Sequence, residues 1–160
     1  MHALLKSDCD LMWFGGIGTY VKSESETHGE AGDKANDLIR VNGHELSCKA
    51  IGEGANLGLT QRGRIAAARN GVRLNTDAID NSAGVDSSDH EVNIKILLNG
   101  LVRSGQMTEG ERNELLASMT DDVARHVLRH NYAQTLAISL QEVTAVSDLD
   151  GHERFIGSLE

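Results

Sequence analysis

Three short apolar runs in this chain each give way to a polar, glycine-bearing stretch. That repeated junction restricts the fold more than any other feature. Leu11-Met12-Trp13-Phe14 runs into Gly15-Gly16-Ile17-Gly18-Thr19, and Lys49-Ala50-Ile51 runs into Gly52-Glu53-Gly54-Ala55-Asn56. A third run, Val72 to Asp77, precedes Asn81-Ser82-Ala83-Gly84-Val85-Asp86-Ser87-Ser88-Asp89. Open α/β sheets hold their ligands in loops at the carboxyl ends of strands, so three such junctions predict one shared ligand edge. Gly15, Gly16 and Gly18 permit a tight turn and a close approach of backbone to a ligand.

The runs Cys9 to Phe14, Lys49 to Gly52 and Val72 to Asp77 are expected as strands, the last from Val72 and Leu74 alternating with Arg73 and Asn75. Residues 21–29 read as a loop and 31–38 as a short helix, while Asn42-Gly43 is a hairpin signal. Thr60 is placed to cap a helix running to about Arg69, with Gly71 at its C′ position. A strand–helix–strand order predicts a parallel sheet with right-handed crossovers. The stretch 81–89 reads as a loop, with Ser88 or Asp89 capping a helix whose Ile94, Leu97, Leu98 and Leu101 form a single buried stripe. Thr108-Glu109-Gly110-Glu111 is a capping box. The helix it opens carries Leu115, Met119, Val123 and Val127 and continues through Leu136 and Leu140, with a break near Met119-Thr120 or His130-Asn131. Residues 148–160 look like the first turns of another helix.

The chain has 160 residues, the size of one ordinary domain. No apolar run approaches the ~18 residues needed to cross a bilayer, and no signal peptide is visible. A cytoplasmic protein with no membrane partner is expected. The net charge of −9 argues against a nucleic-acid footprint, which needs a basic patch. With no proline and only 3% aromatic residues, the core must be built from aliphatic side chains. Cys9 and Cys48 lack metal spacing and read as buried, reduced thiols. His126 and His130 lie at i, i+4, a spacing suited to a metal, but the sequence offers no third ligand beside them. They read as a solvated helix face, and no metal is expected. His90, next to the Ser88 region, reads as a helix-start histidine.

The junction residues also carry a resemblance. Glu53-Gly54-Ala55-Asn56 followed by Thr60, then Gly71-Val72, Asp77, Asn81, Gly84-Val85 and Ser88, are similar in order and spacing to segments of glutamate dehydrogenases and related amino-acid dehydrogenases. Cys9-Asp10-Leu11-Met12 resembles the strand that precedes them. Residues 13–21, 52–61 and 80–99 resemble most closely the large, NAD-specific bacterial glutamate dehydrogenases, and the likeness extends from about Leu4 to Gln141.

The resemblance implies an α/β fold: a partial Rossmann-like parallel sheet of about three strands plus a small hairpin, followed by a helical C-terminal segment. Residues 1–88 would be the C-terminal part of an NAD-binding domain, and 89–160 a helical segment packing on it. It implies NAD-dependent oxidative deamination of L-glutamate to 2-oxoglutarate and ammonia. Gly15, Gly16, Gly54, Asn56 and Asn81 would contact the cofactor NAD; Val85 and Ser88 would contact the substrate side chain and carboxylate. Amides suit a carboxamide and ribose, and a hydroxyl at a helix start suits a carboxylate. Thr19 and Thr76 depart from the smaller enzymes, which have Asn and Pro there, and Ser82-Ala83 stands for Ala-Gly. No G-x-G-x-x-G fingerprint is present, nor a lysine in a comparable glycine-rich setting, so no catalytic acid or base is assigned. The chain is therefore expected to be part of a longer enzyme, inactive alone, and to form a homo-oligomer through an unpaired sheet edge. The alternatives are a non-catalytic nucleotide-binding or regulatory module and an acidic, helix-bearing interaction domain.

Overall fold

In the computed structural model, which describes residues 1–160, the chain begins with α1 (His2–Leu5), β1 (Leu11–Phe14) and β2 (Val21–Lys22). There follow α2 (His28–Ala31), a 3-10 turn at Lys34–Asn36, β3 (Val41–Asn42), a second 3-10 turn at Gly43–Glu45 and β4 (Ala50–Glu53). The remainder is helical: α3 (Gln61–Arg69), α4 (Asp77–Asp80), α5 (Ser82–Arg103), α6 (Glu109–Ser118), α7 (Thr120–Thr144) and α8 (Leu149–Gly157). The architecture is mixed α/β, mostly helical, and divides into two units, Met1–Val85 and Asp86–Glu160. No helix is long and apolar enough to cross a membrane.

In the first unit β1 and β4 pair in parallel, with Leu11 opposite Ala50 and Phe14 opposite Glu53. A second parallel pair joins β2 to β3. The core is aliphatic, as the scarcity of aromatics requires: Val21 and Leu59 are fully buried, with Val41, Leu46 and Ile51 around them. Helix α3 starts where the Thr60 hydroxyl accepts from the Gly63 N–H at 2.9 Å and ends before Gly71 at φ +92°. Both ends match the capping expectation. Cys48 is buried and Cys9 partly so; both are free thiols, and burial pushes the Cys48 thiol pKa up.

The expected third strand shrinks to one bridge between Ala50 and Arg73. Arg73 exchanges backbone bonds with Lys49 and Ile51, but the chain then leaves the sheet. Its next acidic residues cap backbone elsewhere: the Asp77 carboxylate accepts from the Leu57 N–H and that of Asp80 from the Glu53 N–H. Those bonds favour the helical turn α4 over a continued strand. The expected hairpin at Asn42-Gly43 is absent too; β3 pairs only with β2, in parallel. Gly43 serves packing rather than a turn, since a Cβ there would lie 2.5 Å from the Gly63 carbonyl oxygen. Residues 21–29, expected as loop, hold β2 and the start of α2, and the helix expected over 31–38 is reduced to the end of α2 and a 3-10 turn.

The stretch 81–89 is not a loop. Apart from a turn at Asn81, it belongs to α5, which starts at Ser82. No proline interrupts it, and the Asp86–His90 pair at i, i+4 supports helix across it. Ser88 therefore lies within the helix, not at its start.

In the second unit the Thr108 hydroxyl and Glu111 carboxylate form the expected capping box that opens α6. The break between α6 and α7 falls at Met119, one of the two expected places. The apolar stripe of α5 is only partly covered: Leu98 is buried, whereas Leu97 is 68% exposed. Val127 of α7 is the other buried apolar side chain of this unit.

Candidate functional site

The segments that follow β1 and β4 converge on one cleft in the first unit. It has a volume of about 420 Å³ and is lined by Gly15, Gly16 and Ile17, by Gly54, Ala55 and Asn56, and by Asn81, Gly84 and Val85. Six of the seven residues singled out from the sequence thus share one cavity. The seventh, Ser88, lies on an exposed part of α5.

Two side chains give the cleft its polar character. The Asn81 amide Nδ2 donates to Asn56 Oδ1 at 2.6 Å. That single bond leaves the Asn56 amide nitrogen and the Asn81 amide oxygen able to meet a ligand. Gly16 and Gly84 have open space where a Cβ would stand, whereas Gly54 does not. The Trp13 indole lies over Gly52 and Gly54, 2.6 Å from the position of either missing Cβ. Gly52 in β4 and Gly54 just after it therefore accommodate an aromatic ring, and Gly54 keeps its backbone at the cleft.

The walls are held by buried charge that the sequence did not disclose. Arg64 of α3 donates from Nε to Glu53 Oε1 at 2.8 Å and from Nη2 to Oε2 at 3.0 Å. Glu53 is wholly buried, and its Oε2 also accepts from the Gly58 N–H at 2.9 Å. Arg64 Nη2 stands 3.0 Å from Asp77 Oδ1, while Asp77 Oδ2 accepts from the Leu57 N–H. Leu57 needs such support because its φ is +58°, a left-handed conformation unfavourable for a bulky side chain.

Thr19 links the two loops. Its hydroxyl donates to the Leu57 carbonyl at 2.8 Å and its N–H donates to Asp33 Oδ2 at 2.8 Å. It is buried and does not line the cleft. The Asn36 amide and then the Thr19 N–H hold the Asp33 carboxyl pKa below its ordinary value. Buried Arg40 donates from Nε to the Thr19 carbonyl at 2.8 Å and pairs with Asp37 at 2.6 Å. The contacts that join separate elements have no local signature: Glu53 and Arg64 are 11 positions apart, Thr19 and Asp33 14, Thr19 and Arg40 21, and Thr19 and Leu57 38.

The lining contains no ionisable side chain. It offers backbone, two amides and the apolar faces of Ile17 and Val85. Such a surface fits a neutral or cationic planar group bearing a carboxamide. It supplies no proton donor or acceptor of its own.

The bacterial NAD-glutamate dehydrogenase catalytic-domain family matches residues 1–141. A protein of Halomonas elongata named NAD-specific glutamate dehydrogenase is 57% identical over 160 residues, covering all of this chain and 10% of that protein. One of the same name from Pseudomonas aeruginosa is 56% identical over 160 residues, with the same coverage. A third, from Mycobacterium tuberculosis, is 51% identical over 152 residues, 95% of this chain and 9% of that protein. The chain thus spans about a tenth of the length of these curated relatives.

Proposed function

The chain belongs to the bacterial NAD-glutamate dehydrogenase catalytic-domain family, and from that premise we propose that it forms part of an NAD-dependent enzyme that oxidatively deaminates L-glutamate to 2-oxoglutarate and ammonia. The observation that carries this reading is the convergence of Gly15, Gly16, Gly54, Asn56, Asn81 and Val85 on one cleft. Asn56 and Asn81 orient the carboxamide and ribose at the nicotinamide end. Gly15, Gly16 and Gly54 let backbone approach the cofactor. Val85 contacts the substrate side chain, and the Ser88 hydroxyl donates to a substrate carboxylate. NAD held there would supply the hydride acceptor for the substrate Cα.

Residues 1–88 form the C-terminal part of a Rossmann-like NAD-binding domain in this reading, and 89–160 its helical continuation. The enzyme acts in the cytoplasm as a homo-oligomer, and proton transfer depends on residues outside the cleft lining. Titrating the isotopically labelled chain with NAD tests the assignment. Amide shifts confined to 15–17, 54–56 and 81–85 are expected. Shifts spread elsewhere would point to a nucleotide-binding module of another kind.

A further inference from the structure

Asp86 and His90 lie at i, i+4 on α5, and His126 and His130 lie at i, i+4 on α7, all within the second unit. The sequence showed only the α7 pair, forty positions away from the other. The fold brings them together. His130 Nδ1 stands 2.8 Å from Asp86 Oδ2, and His90 Nδ1 stands 3.2 Å from Asp86 Oδ1. His90 Nδ1 also lies 2.8 Å from the Asp86 carbonyl. The candidate ligand atoms of Asp86, His90 and His130 all fall within 4.8 Å of one another. The His126 ring lies beside this group, its centroid 6.0 Å from that of His90 and 6.2 Å from that of His130.

From this arrangement we propose a binding site for a divalent transition metal of the zinc class, with Asp86, His90 and His130 as ligands and His126 in the fourth position. Three observations support it. The donor set of imidazoles and one carboxylate is the set that zinc, cobalt and nickel prefer, whereas calcium and magnesium favour oxygen alone. Zinc–nitrogen bonds of about 2.0–2.1 Å in tetrahedral array place imidazole centroids roughly 5 Å apart. The three rings here stand 5.8–6.2 Å apart, so a small closure brings them to that spacing. The side chains are partly shielded yet reachable: Asp86 is 20% exposed, His90 28% and His130 46%. The Asp86 carboxylate lies against both the His90 and the His130 imidazole, so one cation held there would be within reach of all three side chains.

The ion would tie α5 to α7 in a unit whose buried apolar side chains are few. It is not assigned a part in hydride or proton transfer, and its ligands are not residues of the cleft lining. Isothermal titration of the full chain with Zn²⁺, and with Co²⁺ followed by absorption, tests it. One ion per chain is expected, with four- or five-coordinate Co²⁺ bands and a raised Tm, and no comparable response to Mg²⁺ or Ca²⁺. Asp86→Asn and His130→Gln should each weaken affinity roughly tenfold or more, and His126→Gln should alter the Co²⁺ bands. Circular dichroism of each metal-free variant monitors folding, and the two helices offer independent substitutions if one variant unfolds. Absence of stoichiometric binding, equal binding of Mg²⁺, or Zn²⁺ affinity that survives the Asp86→Asn/His130→Gln double substitution would overturn the site.

Discussion

Arg64 closes a two-pronged contact on Glu53, Nε to Oε1 at 2.8 Å and Nη2 to Oε2 at 3.0 Å, with Glu53 wholly buried. The pair joins α3 to the end of β4 and so fixes the loop that carries Asn56. Removing one member leaves a buried charge without its counter-ion, which typically costs about 3–5 kcal/mol. Arg64→Met should lower unfolding stability by that order in a denaturant titration. Glu53→Gln/Arg64→Met should recover part of the loss. A single substitution without effect on the midpoint would contradict the assigned role.

The two glycines that approach the cleft should behave differently. A Cβ at Gly16 meets open space, whereas one at Gly54 meets the Trp13 ring. Gly16→Ala is expected to leave Tm nearly unchanged while weakening NAD binding. Gly54→Ala should lower Tm by displacing the indole, and Trp13 fluorescence should shift. Equal melting temperatures for the two variants would contradict this division.

Ser88 lies inside α5 rather than at its start, so it is not a helix cap. Serine to alanine at an exposed interior position is close to neutral or stabilises by about 0.5 kcal/mol. If Ser88 donates to a substrate carboxylate, its loss removes a hydrogen bond to a charged group, worth roughly 1.5–3 kcal/mol. Ser88→Ala in the full-length enzyme should therefore raise KM for glutamate roughly ten- to hundredfold, with NAD affinity and Tm preserved. An unchanged glutamate KM would remove Ser88 from the substrate site.

The Asp33 carboxylate should make the loop after β1 sensitive to acid. The Asn36 amide, then the Thr19 N–H, hold its pKa below the ordinary value in the folded chain. The resulting stability is complete above the ordinary aspartate range and is lost as pH falls through the lowered value. Hydrogen exchange at the Thr19 amide, corrected for intrinsic rate, should accelerate over that window. Asp33→Asn should abolish the pH dependence. A Thr19 amide equally protected throughout would contradict the link.

β1 has only β4 beside it, and Leu11 and Trp13 are 59% and 60% exposed. An open apolar edge strand favours pairing with another chain. Sedimentation should show concentration-dependent self-association that Leu11→Lys suppresses. A strict monomer at high concentration would contradict it.

Local chemistry made some of this structure legible in the sequence. Thr60 and Gly71 bound α3, the Thr108–Glu111 box starts α6, and the apolar runs before Gly15 and Gly54 are parallel strands. The residues of the cleft were legible because their order and spacing resemble a family. What misled were signals with two physical meanings. Asn42-Gly43 suits a hairpin, but Gly43 is there because α3 packs against it. The polar run 81–89 suits a loop, yet it forms helix with an Asp86–His90 pair along it. The Glu53–Arg64–Asp77 network and the Asp86/His90/His126/His130 group depend on tertiary approach, and no periodicity announces them.

The most direct test concerns Asn81, whose amide donates to Asn56 at 2.6 Å in the cleft. Steady-state kinetics of Asn81→Ala in the full-length enzyme, with NAD and glutamate varied separately, measures its part in both binding and turnover. A misplaced ring reduces hydride transfer steeply, on the order of a hundredfold for an error near 1 Å. A large fall in kcat, a raised KM for NAD and a smaller rise for glutamate are expected, with circular dichroism and Tm unchanged. Wild-type kcat and NAD KM in a correctly folded Asn81→Ala enzyme would contradict the placement of the nicotinamide in this cleft.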